Sequence, residues 1–205
     1  MSRALGVLIS GRGSNLQAII DAIASGRLDA RVAVVVSNRA DAAGLERARQ
    51  AGIETLVLPH RDYPDRAAYD RALAAALKAR GVELVCLAGF MRLLGAEFIG
   101  EFSGRVLNVH PSLLPAFPGL DAQQQALDHG VKVAGATVHF VTADLDAGPI
   151  VLQAAVPVLE DDSGETLAAR ILDEEHRIYP EAIGLVLCGG WTLDGRRLRL
   201  VARPG

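Results

Sequence analysis

The polar and apolar positions of the first hundred residues repeat one theme. An apolar run from Ala4 to Ile9 is followed by the glycine-rich stretch Ser10-Gly-Arg-Gly-Ser-Asn15. Leu16, Ile19, Ile20 and Ile23 then fall at i, i+3, i+4 and i+7, the spacing of a helix with one apolar face. Strand, turn and helix are predicted in that order. Arg31 to Val36 predicts a second strand, Asp41 to Ala51 a helix ended by Gly52, and Ile53 to Leu58 a third strand. Pro59 to Pro64 reads as a loop. Asp65 is placed to cap a helix over Arg66 to Arg80, whose apolar face is Tyr69, Leu73, Ala76 and Leu77. Glu83 to Ala88 predicts a fourth strand and Ala96 to Glu101 a short helix. A fifth strand, from Arg105 through Asn108 and His110, is stopped by Pro111. Strands alternating with helices imply βαβ units and a parallel sheet covered on both faces.

Beyond Pro118 the pattern changes. Ala122 to His129 predicts a helix ended by Gly130. Val133 to Val141 and Ile150 to Val158 predict two strands, an antiparallel addition to the sheet. Asp162-Ser-Gly-Glu165 has the form of a capping box, opening a helix from Glu165 to Leu187 that Pro180 should kink or divide. Alternation around Asp194-Gly195 predicts a terminal hairpin. The fold class expected is α/β: a Rossmann-like, mostly parallel sheet with helices on both faces and antiparallel strands near the C-terminal part. One domain over residues 1–205 is expected, with halves at 1–105 and 106–190 and a hairpin appendage at 191–205.

Composition narrows the class of partner. The net charge of −3 is spread over interspersed acids and bases, which argues against a nucleic-acid surface. No apolar run approaches a membrane span, and the start is too short for a signal peptide, so the cytoplasm is the expected compartment. Cys86 and Cys188 match no metal or redox spacing and are expected as buried free thiols. No His-x-x-x-His or Cys-x-x-Cys pair occurs, so no metal is expected.

Three places carry candidate chemistry. In Gly11-Arg-Gly-Ser-Asn15 two glycines allow a tight turn before a helix N-terminus, the mechanics of an anion site. The dinucleotide fingerprint is absent: its third glycine would fall at Leu16, and Asn38 stands where a ribose-binding acid is expected. A sugar phosphate suits the loop better; the plainer alternative is Ser14 capping the helix with Gln17 completing a capping box. Asn108 and His110 share one face of a strand at its carboxyl end, where α/β folds bind ligands. An amide beside an imidazole can stabilise an oxyanion and move a proton, although a core histidine bonded to a backbone carbonyl would look the same. Ser112 reads as a turn residue. Asp144 and Asp146 are either solvated turn formers, or one of them approaches His110 and favours its imidazolium.

Other residues are more open. Glu175 sits in the middle of the apolar stripe Leu167, Ile171, Ile178, Ala182 and Val186, so it must pair with an arginine or face a ligand. His60 and His129 read as solvated; His139 is core or site wall. Arg66 and Arg92 each begin a helical segment and either could be a plain surface residue; Met91-Arg-Leu-Leu94 could wall a pocket for a flat aromatic ligand with one charged edge.

Five segments occur together and in order: Gly13-Ser-Asn-Leu-Gln17, Leu87-Ala-Gly-Phe-Met-Arg92, Asn108-Val-His-Pro-Ser-Leu-Leu-Pro115, Gly135-Ala-Thr-Val-His-Phe-Val141 and Asp146-Ala-Gly-Pro-Ile150. From about Leu5 to about Pro180 the chain resembles the folate-dependent formyltransferases, and the early Gly-Ser-Asn loop points to their phosphoribosylglycinamide branch. The resemblance implies formyl transfer from 10-formyltetrahydrofolate, as co-substrate, to the amine of 5-phosphoribosylglycinamide in purine biosynthesis, with no metal. It implies Asn108, His110 and Asp146 as the catalytic set. Gly13, Ser14, Asn15 and Glu175 would bind the ribonucleotide. Arg66, Met91, Arg92, Leu93, Leu94, Asn108, Thr142, Ala143, Asp144, Leu145 and Asp146 would bind the folate. Residues 1–105 would thus be the phosphate-binding half and 106–190 the catalytic and folate-binding half. The expected partners are the two small-molecule substrates, with no nucleic acid or membrane, in a monomer or weak homodimer. One departure is Asp121-Ala-Gln-Gln124, where many relatives carry histidines. The alternatives are a formyltetrahydrofolate hydrolase, whose usual extra N-terminal domain does not precede this first strand, and a non-catalytic sugar-phosphate or folate binder.

Overall fold

The computed structural model describes residues 2–201. The chain forms two compact units, one ending at Asn108 and the other beginning at Val109.

The first unit is built on parallel strands. They are β1 (Arg3–Ile9), β2 (Ala30–Ser37), β3 (Thr55–Val57), β4 (Leu84–Leu87) and the start of β5 (Val106–His110). Their order is β3-β2-β1-β4-β5. Its helices are α1 (Ser14–Ala24), α2 (Gly44–Gln50), α3 (Arg66–Lys78) and α4 (Ala96–Glu101). β1 is central: Leu5, Val7, Leu8 and Ile9 are completely buried, as a strand covered on both faces requires. The strand order reverses between β1 and β4, which makes their carboxyl ends the switch point where such sheets take ligands. There the Ser10 N–H donates to the Gly89 carbonyl at 3.0 Å, so the loops leaving the two strands lie side by side.

α2 is shorter than the expected 41–51. Asp41 does not cap it, because Arg39 takes both carboxylate oxygens at 3.0 and 2.7 Å. The Gly44 N–H instead donates to the Gly11 carbonyl at 3.0 Å, fixing the start of α2 to the loop after β1. α3 begins as expected, with the Asp65 carboxylate accepting from the Ala68 N–H at 2.7 Å.

The second unit holds α5 (Ala122–Asp128), β6 (Val133–Phe140), β7 (Ile150–Pro157), α6 (Gly164–Cys188), β8 (Trp191–Asp194) and β9 (Arg197–Leu200). Its strand order is β6-β7-β9-β8, with β6/β7 and β8/β9 antiparallel. The expected α/β class, a mostly parallel sheet with antiparallel strands added late, is what forms. Gly135 permits the close approach of β6 and β7: a Cβ there would stand 2.0 Å from the Ala154 carbonyl oxygen. Residues 202–205 of the expected 191–205 appendage lie outside the described residues.

α6 corrects one expectation and narrows another. Its capping box joins Ser163 to Thr166, one residue later than the Asp162–Glu165 spacing suggests. Asp162 is occupied elsewhere, accepting from the Leu159 N–H and from Arg170. Pro180 does not divide the helix. It lacks one backbone donor, but Tyr179, Ala182 and Ile183 around it are fully buried, and that packing offsets the lost bond.

Candidate active site

Each candidate residue can be traced to the element that holds it. The loop after β1 turns at Gly13, whose φ is +70° and which is the N-cap of α1. A Cβ at Gly13 would meet the Gly44 Cα at 2.7 Å, so both backbone angle and space require glycine. No side chain caps α1. Ser14 is its first helical residue, and the Gln17 side chain turns to Asp21 and Arg47, so the expected Ser14–Gln17 capping box does not form. Asn15 is buried in the first turn. The Arg47 Nε donates to the Arg12 carbonyl at 3.0 Å and steadies the loop from α2.

Asn38 has a structural task. Its Oδ1 accepts from the Ser10 hydroxyl at 2.6 Å, and that hydroxyl accepts from the Met91 N–H at 2.8 Å. The loop after β1 is thereby tied to the segment after β4. Within that segment Met91 and Leu93 are exposed and Leu94 is buried. Arg92 does not begin a helix, contrary to expectation; α4 starts only at Ala96, because the Gly95 N–H is held by Asp70 at 2.7 Å. Arg66 is exposed on the first turn of α3.

In the second unit, three side chains meet. His110, at the end of β5, is buried. Its Nε2 donates to the Phe117 carbonyl at 2.9 Å and its Nδ1 lies 3.5 Å from Asp146 Oδ2. His139, buried on β6, places Nε2 at 3.6 Å from Asp146 Oδ1 and Nδ1 at 2.9 Å from the Phe140 carbonyl. Asp146 also accepts the Gly119 N–H at 2.8 Å. Both nitrogens of His110 therefore face oxygen acceptors. Burial holds His139 below the ordinary histidine range; the Phe140 carbonyl and Asp146 pull the other way, and His110 and Arg196 push it further down.

The two loop aspartates separate sharply. Asp146 has φ of +49°, a left-handed conformation uncommon outside glycine. That angle turns its carboxylate inward, whereas Asp144 and Leu145 stay exposed. The loop can close tightly because Gly148 lies against the preceding strand, where a Cβ would stand 1.8 Å from the Phe140 carbonyl oxygen. Thr142 donates to the Asp144 carbonyl at 3.3 Å within the same loop, and Ala143 is exposed.

Thr137 has no site role in the residue-by-residue reading, and His139 is open there as core or site wall. Thr137 is fully buried, donates to the Ser112 carbonyl and accepts from the Leu114 N–H and the Gln153 amide. With Ser112, whose hydroxyl donates to the Ala116 carbonyl, it pins the turn after His110. The signal for both was their shared face on a strand. Glu175 is buried on the α6 stripe, as its spacing required. His60 is not freely solvated: its Nδ1 is buried without a partner, and burial with the charges of Arg92 and Arg61 lowers its basicity. His129 is exposed, as expected. Cys86 is buried and in no disulfide, whereas Cys188, at the C-terminal end of α6, is exposed, contrary to expectation. Among the described residues no group of His, Cys, Asp and Glu could hold a metal ion.

Residues 4–183 match the formyl transferase family. The chain is 50% identical to the phosphoribosylglycinamide formyltransferase of Escherichia coli, over 93% of its own length and 87% of the relative's. A crystal structure of glycinamide ribonucleotide transformylase 1 from Symbiobacterium toebii superposes with a TM-score of 0.96 at 62% identity, covering 98% of this chain and 95% of that one. The chain is also 50% identical to the trifunctional purine biosynthetic protein adenosine-3 of Bos taurus over 91% of its own length, but spans only 18% of that much longer protein. The chain belongs to the formyl transferase family, in its phosphoribosylglycinamide formyltransferase branch.

Proposed function

We propose that the protein transfers the formyl group of 10-formyltetrahydrofolate to the amine of 5-phosphoribosylglycinamide, a step of purine biosynthesis. The observation that carries this reading is the buried His110 ring between two acceptors, with Asp146 as its charge partner. Asn108 stands two residues earlier on the same strand.

The ribonucleotide phosphate sits on the N-terminus of α1, against Gly13, Ser14 and Asn15, where no side chain competes for the backbone donors. Glu175 takes the hydroxyl or amine end of the same substrate. The folate lies against Arg66, Met91, Arg92, Leu93 and Leu94 and the loop from Thr142 through Ala143, Asp144 and Leu145 to Asp146. The exposed apolar faces of Met91, Leu93 and Leu145 support this, because such surface suits a flat ring system.

The amine lone pair attacks the formyl carbon and the C=O electrons move to oxygen. The Asn108 amide and the His110 Nε2–H, released from the Phe117 carbonyl, donate to that oxyanion; each such donor is worth roughly 2.7–4 kcal/mol. Asp146 holds the imidazolium and orients it. Burial disfavours charge on His139, so the proton relay is given to His110. The intermediate collapses with cleavage of the bond to N10. The amine loses a proton and N10 gains one, His110 relaying it through water. No covalent acyl-enzyme is required.

The protein works on two small molecules, as a monomer or weak homodimer in the cytoplasm. Incubation with 10-formyltetrahydrofolate, with and without 5-phosphoribosylglycinamide, tests the reading by the appearance of deformylated folate. Turnover only with the ribonucleotide is expected. Turnover without it would make the protein a hydrolase, and none in either case a binder.

A further inference from the structure

The segment after β4 alternates between two environments. Met91 and Leu93 are 71% and 60% exposed, while Phe90 and Leu94 are buried and Arg92 is half-buried. All four residues from Met91 to Leu94 are assigned to the folate; Met91 and Leu93 present the exposed apolar surface, and the inward ones anchor it. The Arg92 guanidinium carbon lies 5.0 Å from the centre of the Tyr69 ring, and that ring is completely buried. Next to Tyr69 on α3 is Asp70, a carboxylate only 2% exposed. Its Oδ2 accepts from the Gly95 N–H at 2.7 Å, and its Oδ1 is buried without a hydrogen-bond partner. Burial raises the Asp70 carboxyl above the usual carboxylate range; the Gly95 N–H and the charges of Arg66 and Arg92 oppose that rise, and Glu97 adds to it. A buried carboxylate is unfavourable unless it is paired and hydrogen-bonded. This one is held by the Gly95 N–H that closes the segment, and the charges of Arg66 and Arg92, both named for the folate, favour its ionised form.

We propose that Asp70 is a positioning residue for the folate: by holding the Gly95 N–H and balancing Arg66 and Arg92 it fixes the segment that presents Met91 and Leu93. The inference rests on the reading of residues 91–94 and Arg66 as the folate wall. Gly95 belongs to the same device. Its φ of −78° suits any residue, so backbone angle does not require glycine. Space bears on it instead: a Cβ would stand 2.8 Å from Asp70 Oδ2, so the carboxylate would have to shift.

The test is steady-state kinetics of D70N and G95A with both substrates varied, together with amide hydrogen exchange. Each variant should raise the KM for 10-formyltetrahydrofolate about tenfold, the loss expected of one charged contact, with kcat and the KM for 5-phosphoribosylglycinamide within about twofold. Faster exchange at residues 91–95 should accompany this. G95A keeps every charge, so it reads the device even where D70N folds poorly. Equal rises in both KM values, or a folate KM unchanged in G95A and D70N, would overturn the proposal. L93A reads the wall itself. A folate KM raised in L93A but not in D70N and G95A sinks the anchor and spares the wall. A folate KM unmoved in L93A sinks the folate reading, and the anchor's purpose with it.

Discussion

Asp146 is the residue on which most of the proposed chemistry turns. One carboxylate faces two imidazoles, at 3.5 and 3.6 Å, and takes a backbone N–H besides. Its replacement by asparagine keeps shape and removes charge. D146N should lower kcat by about 10²-fold or more with a smaller rise in the KM for the folate and none for the ribonucleotide, because the proposed role of the carboxylate at His110 outweighs its contact with the folate. Turnover near that of the parent would remove Asp146 from the catalytic set. The geometry also explains why an aspartate can occupy this φ: its short polar side chain tolerates the left-handed region better than a β-branched one.

The elements have their own points of fragility. The turn into α1 depends on Gly13, where φ is positive and the neighbour is backbone, the Gly44 Cα, which cannot rotate away. G13A should raise the KM for 5-phosphoribosylglycinamide more than that for the folate, and should lower stability by about 1–3 kcal/mol, the usual range for such strain. Kinetics and urea unfolding read the two effects separately; a folate-specific change would contradict the phosphate assignment. α6 depends on its N-terminus. The Ser163 hydroxyl accepts from the Thr166 N–H at 3.2 Å, and S163A should cost about 1 kcal/mol in urea unfolding.

For the molecule as a whole, the acid limb of stability should carry the signature of Asp162. Hydrogen bonds from Arg170 and the Leu159 N–H hold its carboxyl well below the usual range. A carboxyl depressed in the folded state contributes stability above its unfolded value, about 3.9, and loses it as pH falls toward the folded value. D162N should therefore be less stable than the parent at neutral pH, and the gap should narrow steadily below about pH 4, where the parent's carboxylate begins to protonate in the unfolded chain. A gap independent of pH in urea unfolding would show that the contacts matter only as neutral hydrogen bonds. No helix among the described residues is long and apolar enough to cross a membrane.

Hydrophobic periodicity is a local property, so the chain announces its strands, its helices, the Gly-Ser-Asn turn and the buried Glu175 without help from the fold. Asn108 and His110 are legible for the same reason: two polar residues on one face of a strand that Pro111 stops. The contacts that make a site are not local. Which of two loop aspartates turns inward depends on one positive φ and on a backbone N–H 27 residues away in sequence. His139 reads as core or wall until Asp146 arrives beside it. α2 loses its first turn to an arginine two residues before Asp41, and Asp162 gives up its capping role to Arg170. In each case a polar group has several partners of similar worth, and packing at a distance along the chain selects among them.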